Sequence, residues 1–420
     1  MLRRHITRSL LDALSDTPVV LLHGARQTGK STLAQSLAEG EHPARYLTLD
    51  DAALLAAARH DPAGFVSGLH EPVVLDEIQR APELFPALKA KVDRDRRPGR
   101  FLLTSSANVT LLPRFTESLA GRMALLTLWP LSQGEIEERM EGFVDVVFAA
   151  TLPPLTEGLP DWSELIRRML RGGYPEVLLR SAESRRSAWF SSYLTTILHR
   201  DVRDLADIEG LTALPRLLAV LSARVMALTN FAELSRSIRL PLSTLKRYMA
   251  LLETTFLVQM LPAWSGNAGR RLVKAPRLLL GDTGLIAHLL GADAERLMAR
   301  PEMVGPLLEH FVAIELCKQL AWSGTQAQLS HFRTQTGQGV DLVLEEKAGR
   351  IVGIEVKASA TVSAQDFKGL RTLAEVVGKR FRRGVVLYTG STAIPFGTHL
   401  HALPVGALWR LGATRDKEAG

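Results

Sequence analysis

One cysteine, Cys317, is all that 420 residues contain. No internal disulfide can form, nothing calls for an oxidising compartment, and a cytoplasmic location is expected. Missing too is any run of the ~20 apolar residues that a helix needs to cross a bilayer, so a membrane role has no support. Histidine supplies no metal site: His199 has no second ligand at metal spacing and reads as a surface or capping residue, while His310 and His331 read as packing residues. Acidic residues are the minority charge, 44 against 51 Lys and Arg, for a net charge of +7 and a pI near 9.7. That balance suits phosphates and nucleic acid better than an acidic small substrate. A mildly basic protein with no nucleic-acid partner has the same balance, so charge alone does not decide. What is present, 46% hydrophobic and 23% charged residues, is ordinary for a globular chain with two or three domains. At the start, Leu2, Ile6, Leu10, Leu11 and Leu14 are spaced for one helix face, which favours an amphipathic lead-in helix over a targeting peptide.

The most informative stretch follows at once. Val19-Val20-Leu21-Leu22-His23 reads as a buried strand, and Gly24-Ala25-Arg26-Gln27-Thr28-Gly29-Lys30-Ser31-Thr32 completes the pattern G-x-x-x-x-G-K-[ST]. Glycines at 24 and 29 let backbone N–H groups turn inward on an anion. Lys30 brings a charge to the outer phosphates, Ser31 offers a hydroxyl to Mg²⁺, and the helix that begins there aims its positive end at the nucleotide.

A βαβ rhythm continues. Arg45 to Leu49 reads as a strand with a helix from Ala52 to Arg59, and Glu71 to Glu77 is an apolar strand ending in two carboxylates. Asp76 is expected to support the ion, and Glu77 to orient and deprotonate an attacking water. Arg100 to Ser106 is another strand, after which Ser105 and Asn108 are candidates for sensing the γ-phosphate or holding the water, with Asn108 slightly favoured. Arg122 has two readings: a guanidinium reaching a neighbour's γ-phosphate in a homo-oligomer, or a surface partner of Glu117.

These residues carry a resemblance. The loop with Arg26-Gln27 inside it, Asp76-Glu77-Ile78-Gln79, and Ser118-Leu119-Ala120-Gly121-Arg122 before Pro130-Leu131-Ser132 resemble the prokaryotic AAA-superfamily P-loop ATPases with an uncharacterised C-terminal region. Gly172 to Glu176 and Lys274-Ala275-Pro276-Arg277 to Gly281-Asp282-Thr283-Gly284-Leu285 resemble the same family. Its members usually have proline after the first loop glycine; this chain has Ala25, a change expected to affect loop stiffness more than phosphate contact.

Past Glu135 the rhythm stops. Phe231 to Ser237, then Leu240 to Ser243, then Thr244 to Met249 has a helix-turn-helix cadence, with Ser243 as an expected cap and Thr244, Lys246 and Arg247 on an exposed face. Phe256 to Leu261 would form a wing. DNA contact and protein packing are equally open for such a module.

In the C-terminal third, Val340-Asp341-Leu342-Val343-Leu344 and Ile351 to Lys357 read as a hairpin in which Glu355 and Lys357 share a face and Asp341 joins them. Two acids and a lysine suit a phosphodiesterase using Mg²⁺ or Mn²⁺. The arrangement resembles the restriction-endonuclease-like motif D…E-x-K, with Glu309 in the expected upstream helix. The acid usual two residues before Asp341 is replaced by Gly339, so the fold is expected with more weight than cleavage.

The expected architecture is therefore α/β: a P-loop AAA-type ATPase domain with a parallel sheet over 1–135, a helical connection with a winged-helix-like part over 136–290, and a restriction-endonuclease-like α/β domain over 291–420. The expected function is Mg²⁺-dependent ATP hydrolysis driving a switch or motor on DNA. Two alternatives are an ATP-regulated metal-dependent nuclease of DNA or RNA, used for example in defence, and a nucleotide-controlled binding module with an inactive nuclease fold.

Overall fold

The computed structural model describes all residues except 1, 112–118, 120, 156–157, 202–212, 267–274, 335, 413 and 416–420. Glu117, Ser118, Ala120, Lys274 and most of the tail from Ala413 therefore lie outside the described residues. The chain divides into two compact units, one of Arg4–Leu131 with Met249–Leu257, the other of Met1–Arg3, Ser132–Tyr248 and Val258–Gly420.

In the first unit, β1 (Val19–His23), β2 (Arg45–Thr48), β3 (Val73–Asp76), β4 (Phe101–Ser105) and β5 (Met123–Thr127) form one parallel sheet in the order β2-β3-β4-β1-β5. Every residue of β1, β3 and β4 is buried, which is why these strands read as unbroken apolar runs instead of alternating ones. The architecture is that of a P-loop NTPase. The order seats β1 in the sheet interior between β4 and β5, and β3 beside β4, so the loop after β1 and the carboxylates at the end of β3, Asp76 and the following Glu77, open at the same sheet end. Val19, Leu21, Leu75, Phe101 and Leu103 pack with Phe85 and Leu88 of the helix Leu84–Arg94. The lead-in helix runs over Thr7–Asp16 with Leu10 and Leu14 inward; Ile6 is buried just before it, whereas Leu2 is exposed.

The second unit contains a short pair, β6 (Arg139–Met140), and a ribbon of β7 (Val258–Leu261) antiparallel to β8 (Arg277–Leu280). A mixed six-stranded sheet follows, of β9 (Ala327–Arg333), β10 (Gly339–Glu346), β11 (Ile351–Lys357), β12 (Phe381–Tyr388), β13 (Ile394–Pro395) and β14 (Leu400–Pro404). Their order is β13-β14-β12-β11-β10-β9, and β15 (Thr414–Arg415) pairs with β6. The ribbon is preceded by helices Leu214–Ser222, Phe231–Ile238 and Leu242–Thr254, the last passing at Met249 into residues of the first unit. The expected cap at Ser243 is corrected: the helix begins at Leu242, and the Leu245 N–H donates to the Pro241 carbonyl at 2.9 Å. Asn230 caps the preceding helix through the N–H groups of Ala232 and Glu233. His199 is exposed in a wide turn, Ile197–Asp201. Among the described residues no helix is long and apolar enough to cross a membrane.

Candidate active site

The loop after β1 is shaped by close approach. A Cβ on Gly24 would fall inside the Leu128 carbonyl, so only glycine fits where this backbone meets β5's continuation. Gln27 (φ 63°) and Gly29 (φ 93°) adopt left-handed conformations, the alternation that turns successive N–H groups to one side. Gly29 then leads into the helix Lys30–Glu39, whose first-turn N–H groups and dipole favour an anion. The Ala25 carbonyl accepts from Thr28 Oγ1 at 2.9 Å and Lys30 Nζ at 2.8 Å, tying the loop across itself. Arg4 braces it from outside, donating to the carbonyls of Thr28 at 2.6 Å and Trp129 at 2.7 Å. Beneath, His23 Nε2 meets Thr127 Oγ1 at 2.8 Å; burial first and the Lys30 charge second push its pKa down to about 4, which keeps it neutral.

Beside the loop stands a lattice of oxygens. Asp76 Oδ1 accepts from Ser31 Oγ at 2.8 Å and Thr104 Oγ1 at 2.5 Å, and its Oδ2 accepts from Thr48 Oγ1 at 3.3 Å. Burial and then the Asp76 carboxylate hold the Tyr46 phenol above its usual pKa. Because Ser31 donates its proton to Asp76, its lone pairs stay available. A serine hydroxyl oriented by a carboxylate is a hard-oxygen donor set that fits Mg²⁺.

Glu77 adopts φ 60°, a left-handed conformation costly for a side chain of this size and retained only where surroundings over-determine it. Here they do. Glu77 N–H donates to Thr104 Oγ1 at 3.0 Å, and its Oε2 accepts from Ser106 Oγ at 2.8 Å and from Gln79 Nε2, which also reaches Ser106 Oγ at 2.8 Å. Gln79 and Ser106 were not assigned roles from sequence. Ser105, buried, donates to the Ala107 carbonyl instead. Asn108 accepts from Thr110 Oγ1 at 2.7 Å and, among the described residues, makes no hydrogen bond to Asp76 or Glu77. Arg122 forms an ion pair with Asp93.

A second group gathers in the other unit. Leu342 pairs with Ile354 in antiparallel register, which sets Asp341 across from Glu355, and a bulge between Val340 and Val343 re-aims this part of β10 against β9. Glu355 and Lys357 are half-buried while Ile354 and Val356 are buried, so the two polar side chains share a face. Asp341 Oδ2 accepts from the Val356 N–H at 3.0 Å. Glu309 comes from the helix Pro301–Leu320, which packs on β11. Burial, then the Asp341 charge, push Glu309 up to about 7 and Glu355 up to about 8. Glu355 Oε2 is buried without a hydrogen-bond partner. These are hard oxygens suited to Mg²⁺ or Mn²⁺, although among the described residues no three His, Cys, Asp or Glu side chains form a ready cage. His310 is buried and bonded to Leu280, with its pKa pushed down to about 3 by burial, and His331 bonds the Ala275 carbonyl.

Comparison with known proteins decides the family. Over 415 residues the chain is 31% identical to the uncharacterized protein Rv2008c of Mycobacterium tuberculosis, covering 99% of this chain and 86% of that one. The same figures hold for Mb2031c of Mycobacterium bovis. Residues 16–137 match an AAA domain. The chain belongs to this family of AAA-domain proteins. Its AAA segment contains the phosphate loop, Asp76 and Glu77, so the protein is an AAA-type P-loop ATPase. Two further segments match domains of unknown function, DUF8612 over 163–296 and DUF4143 over 304–408. Among solved structures, a Thermotoga maritima RuvB variant is 18% identical over 60% of this chain and 88% of its own, with a TM-score of 0.29. A signal transduction ATPase of the STAND type from Pyrococcus horikoshii is 12% identical over 75% of this chain and 46% of its own, with a TM-score of 0.20. At such scores neither superposes well, and the family rests on the sequence relatives and the AAA segment.

Proposed function

We propose that the AAA-type site hydrolyses ATP with Mg²⁺ and that the protein uses this as a switch or motor on DNA. The observation that carries it is the continuous hydrogen-bonded path from Ser31 through Asp76 and Thr104 to the Glu77 backbone, beside the Lys30 loop. In this reading the N–H groups of Gly24 to Thr32, with Gln27 and Thr28 in the turn, hold the phosphates, and Lys30 charges the outer ones. Ser31, oriented by Asp76, would hold the ion, which when bound would supply charge neutralisation for phosphoryl transfer. Glu77, steadied by Ser106 and Gln79, takes the proton of the attacking water as the new O–P bond forms and the β–γ bridge breaks. Arg122 stabilises γ-phosphate charge in trans within a homo-oligomer, leaving Asp93 to do so, and Asn108 turns from Thr110 to the water. Lys30→Ala and Glu77→Gln test the reading by phosphate release from ATP; wild-type rates in both would end it.

The division into 1–135, 136–290 and 291–420 is supported by the three separately matched segments. DNA contact is supported by a winged-helix-like order, three helices and then the β7–β8 ribbon, with Lys246 and Arg247 exposed on the last helix. Its salt dependence distinguishes phosphate contacts from a protein adaptor role. A second reading, a nuclease of restriction-endonuclease-like fold, is favoured by the buried, unpartnered Glu355 oxygen beside Asp341, Glu309 and Lys357. The acids would hold the ion and Lys357 would steady the phosphate. Cleavage lost in Asp341→Ala supports it; no cleavage of duplex DNA, single strands or RNA with any metal leaves a binding module.

A further inference from the structure

Arg277 opens β8 and was given no role by its place in the sequence. Its Nη1 lies 3.3 Å from Glu309 Oε2 and 3.2 Å from Asp341 Oδ1. One nitrogen thus joins two acids on separate elements, the helix Pro301–Leu320 and β10, and both Arg277 and Asp341 are largely removed from solvent. Joining carboxylates of different elements through one positive centre is what a divalent ion does in an oxygen-ligand site. The third acid, Glu355, keeps one buried oxygen unpartnered. Lys357 does not fill that role: its Nζ stands 4.0 Å from Glu355 Oε1 and leans to Asp366 at 3.6 Å.

A guanidinium keeps its charge at any pH a folded protein meets. Arg277 therefore leaves these acids by displacement and not by losing a proton. Carboxylates gathered like this are relieved by protons or by a cation, and Asp341 with Glu309 takes the guanidinium, since removing one partner of a buried charge pair leaves the other uncompensated. A guanidinium and a divalent ion are alternative answers to the same requirement, and they exclude each other at the Glu309–Asp341 gap.

We propose that Arg277 is the built-in counter-cation of the Glu309–Asp341–Glu355 cluster, and that Mg²⁺ or Mn²⁺ binds there only as Arg277 withdraws. The inference rests on reading these three acids as metal-holding, but it does not require that the site cleave anything. Arg277 pairs with Leu261 at the end of the β7–β8 ribbon. The ribbon follows directly on the helix pair proposed to contact DNA. A ligand that shifts the ribbon would open or close the cluster to metal.

The test is Mn²⁺ binding, followed by electron paramagnetic resonance, to the nucleotide-free full chain. Five proteins are compared: wild type, Arg277→Met, Arg277→Gln, Asp341→Asn, and Arg277→Met with Asp341→Asn. Both Arg277 single variants are expected to bind one Mn²⁺ at least about tenfold more tightly than wild type, a gain of one decade in affinity, and the double variant to lose it. The glutamine retains an amide donor for one acid, so it carries the measurement if the methionine variant misfolds. A variant that folds only when Mn²⁺ is present counts as support. Arg277 single variants that bind no more tightly than wild type, while wild-type binding disappears in Asp341→Asn, would overturn the counter-cation and leave the metal-holding acids standing. No Asp341-dependent Mn²⁺ in any protein would overturn both.

Discussion

Replacing Asp76 with asparagine should separate metal-assisted from metal-free nucleotide binding. Asp76 is 4% exposed, and its Oδ1 accepts from Ser31 at 2.8 Å and Thr104 at 2.5 Å. Asparagine can keep its oxygen there and turn its amide toward Thr48, whose hydroxyl is able to accept, so the fold should survive. What disappears is the charge that orients Ser31. A hydrogen bond to a charged group contributes about 1.5–3 kcal/mol, which at 1.4 kcal/mol per decade is roughly a 10- to 150-fold loss of affinity. That loss belongs to the Mg²⁺ complex alone, because the phosphate contacts of the loop backbone and Lys30 do not pass through Asp76. Titration of a fluorescent ATP analogue with Mg²⁺, and again with EDTA, reads both affinities. Equal weakening in the two conditions, or none in Mg²⁺, would refute the reasoning.

Other expectations follow from the same geometry. Gly24→Ala drives a methyl into the Leu128 carbonyl and should abolish nucleotide binding and lower the melting temperature; near-wild-type binding would mean the loop has room that the close approach denies. Arg4→Ala removes two donors from the Thr28 and Trp129 carbonyls and should weaken ATP by up to roughly 30-fold through loop mobility, at about 1 kcal/mol per lost bond; unchanged affinity would show that the brace is dispensable. Glu309 and Glu355, raised to about 7 and about 8, hold protons that the unfolded chain has released, so stability should fall as pH rises from about 5 to about 8. Chemical denaturation at both pH values reads this, and Glu355→Gln should flatten the slope.

Local chemistry was legible in the sequence and distant chemistry was not. The loop from Gly24 to Thr32 is recognisable as a pattern within nine residues, although the close approach that demands glycine at 24 comes from the distant Leu128 carbonyl, and β1, β3 and β4 announce double burial by unbroken apolar runs. Asp76 and Glu77 could be placed because a parallel strand delivers its last residues to the sheet's carboxyl end. Their partners could not. Thr104 and Ser106 reach them only because β4 lies beside β3, and Arg4 reaches Trp129 across 125 residues. Sequence favoured Asn108 slightly over Ser105, because a serine at a strand end is usually a turn residue, whereas the hydroxyl that meets Glu77 is Ser106. The hairpin bearing Asp341 and Glu355 followed from alternation, but Arg277, which bridges Asp341 to Glu309, came from a ribbon some 64 positions before Asp341.

The most direct test of ATP hydrolysis at this site is a single-turnover measurement with radiolabelled ATP and Mg²⁺ on wild type and Glu77→Gln. Wild type should convert bound ATP to ADP. The variant, with its phosphate loop intact, should bind ATP within about threefold of wild type yet hydrolyse it at least about a hundredfold more slowly, the lower end of what a positioned base contributes. A Glu77→Gln protein that turns over ATP at the wild-type rate would contradict the account.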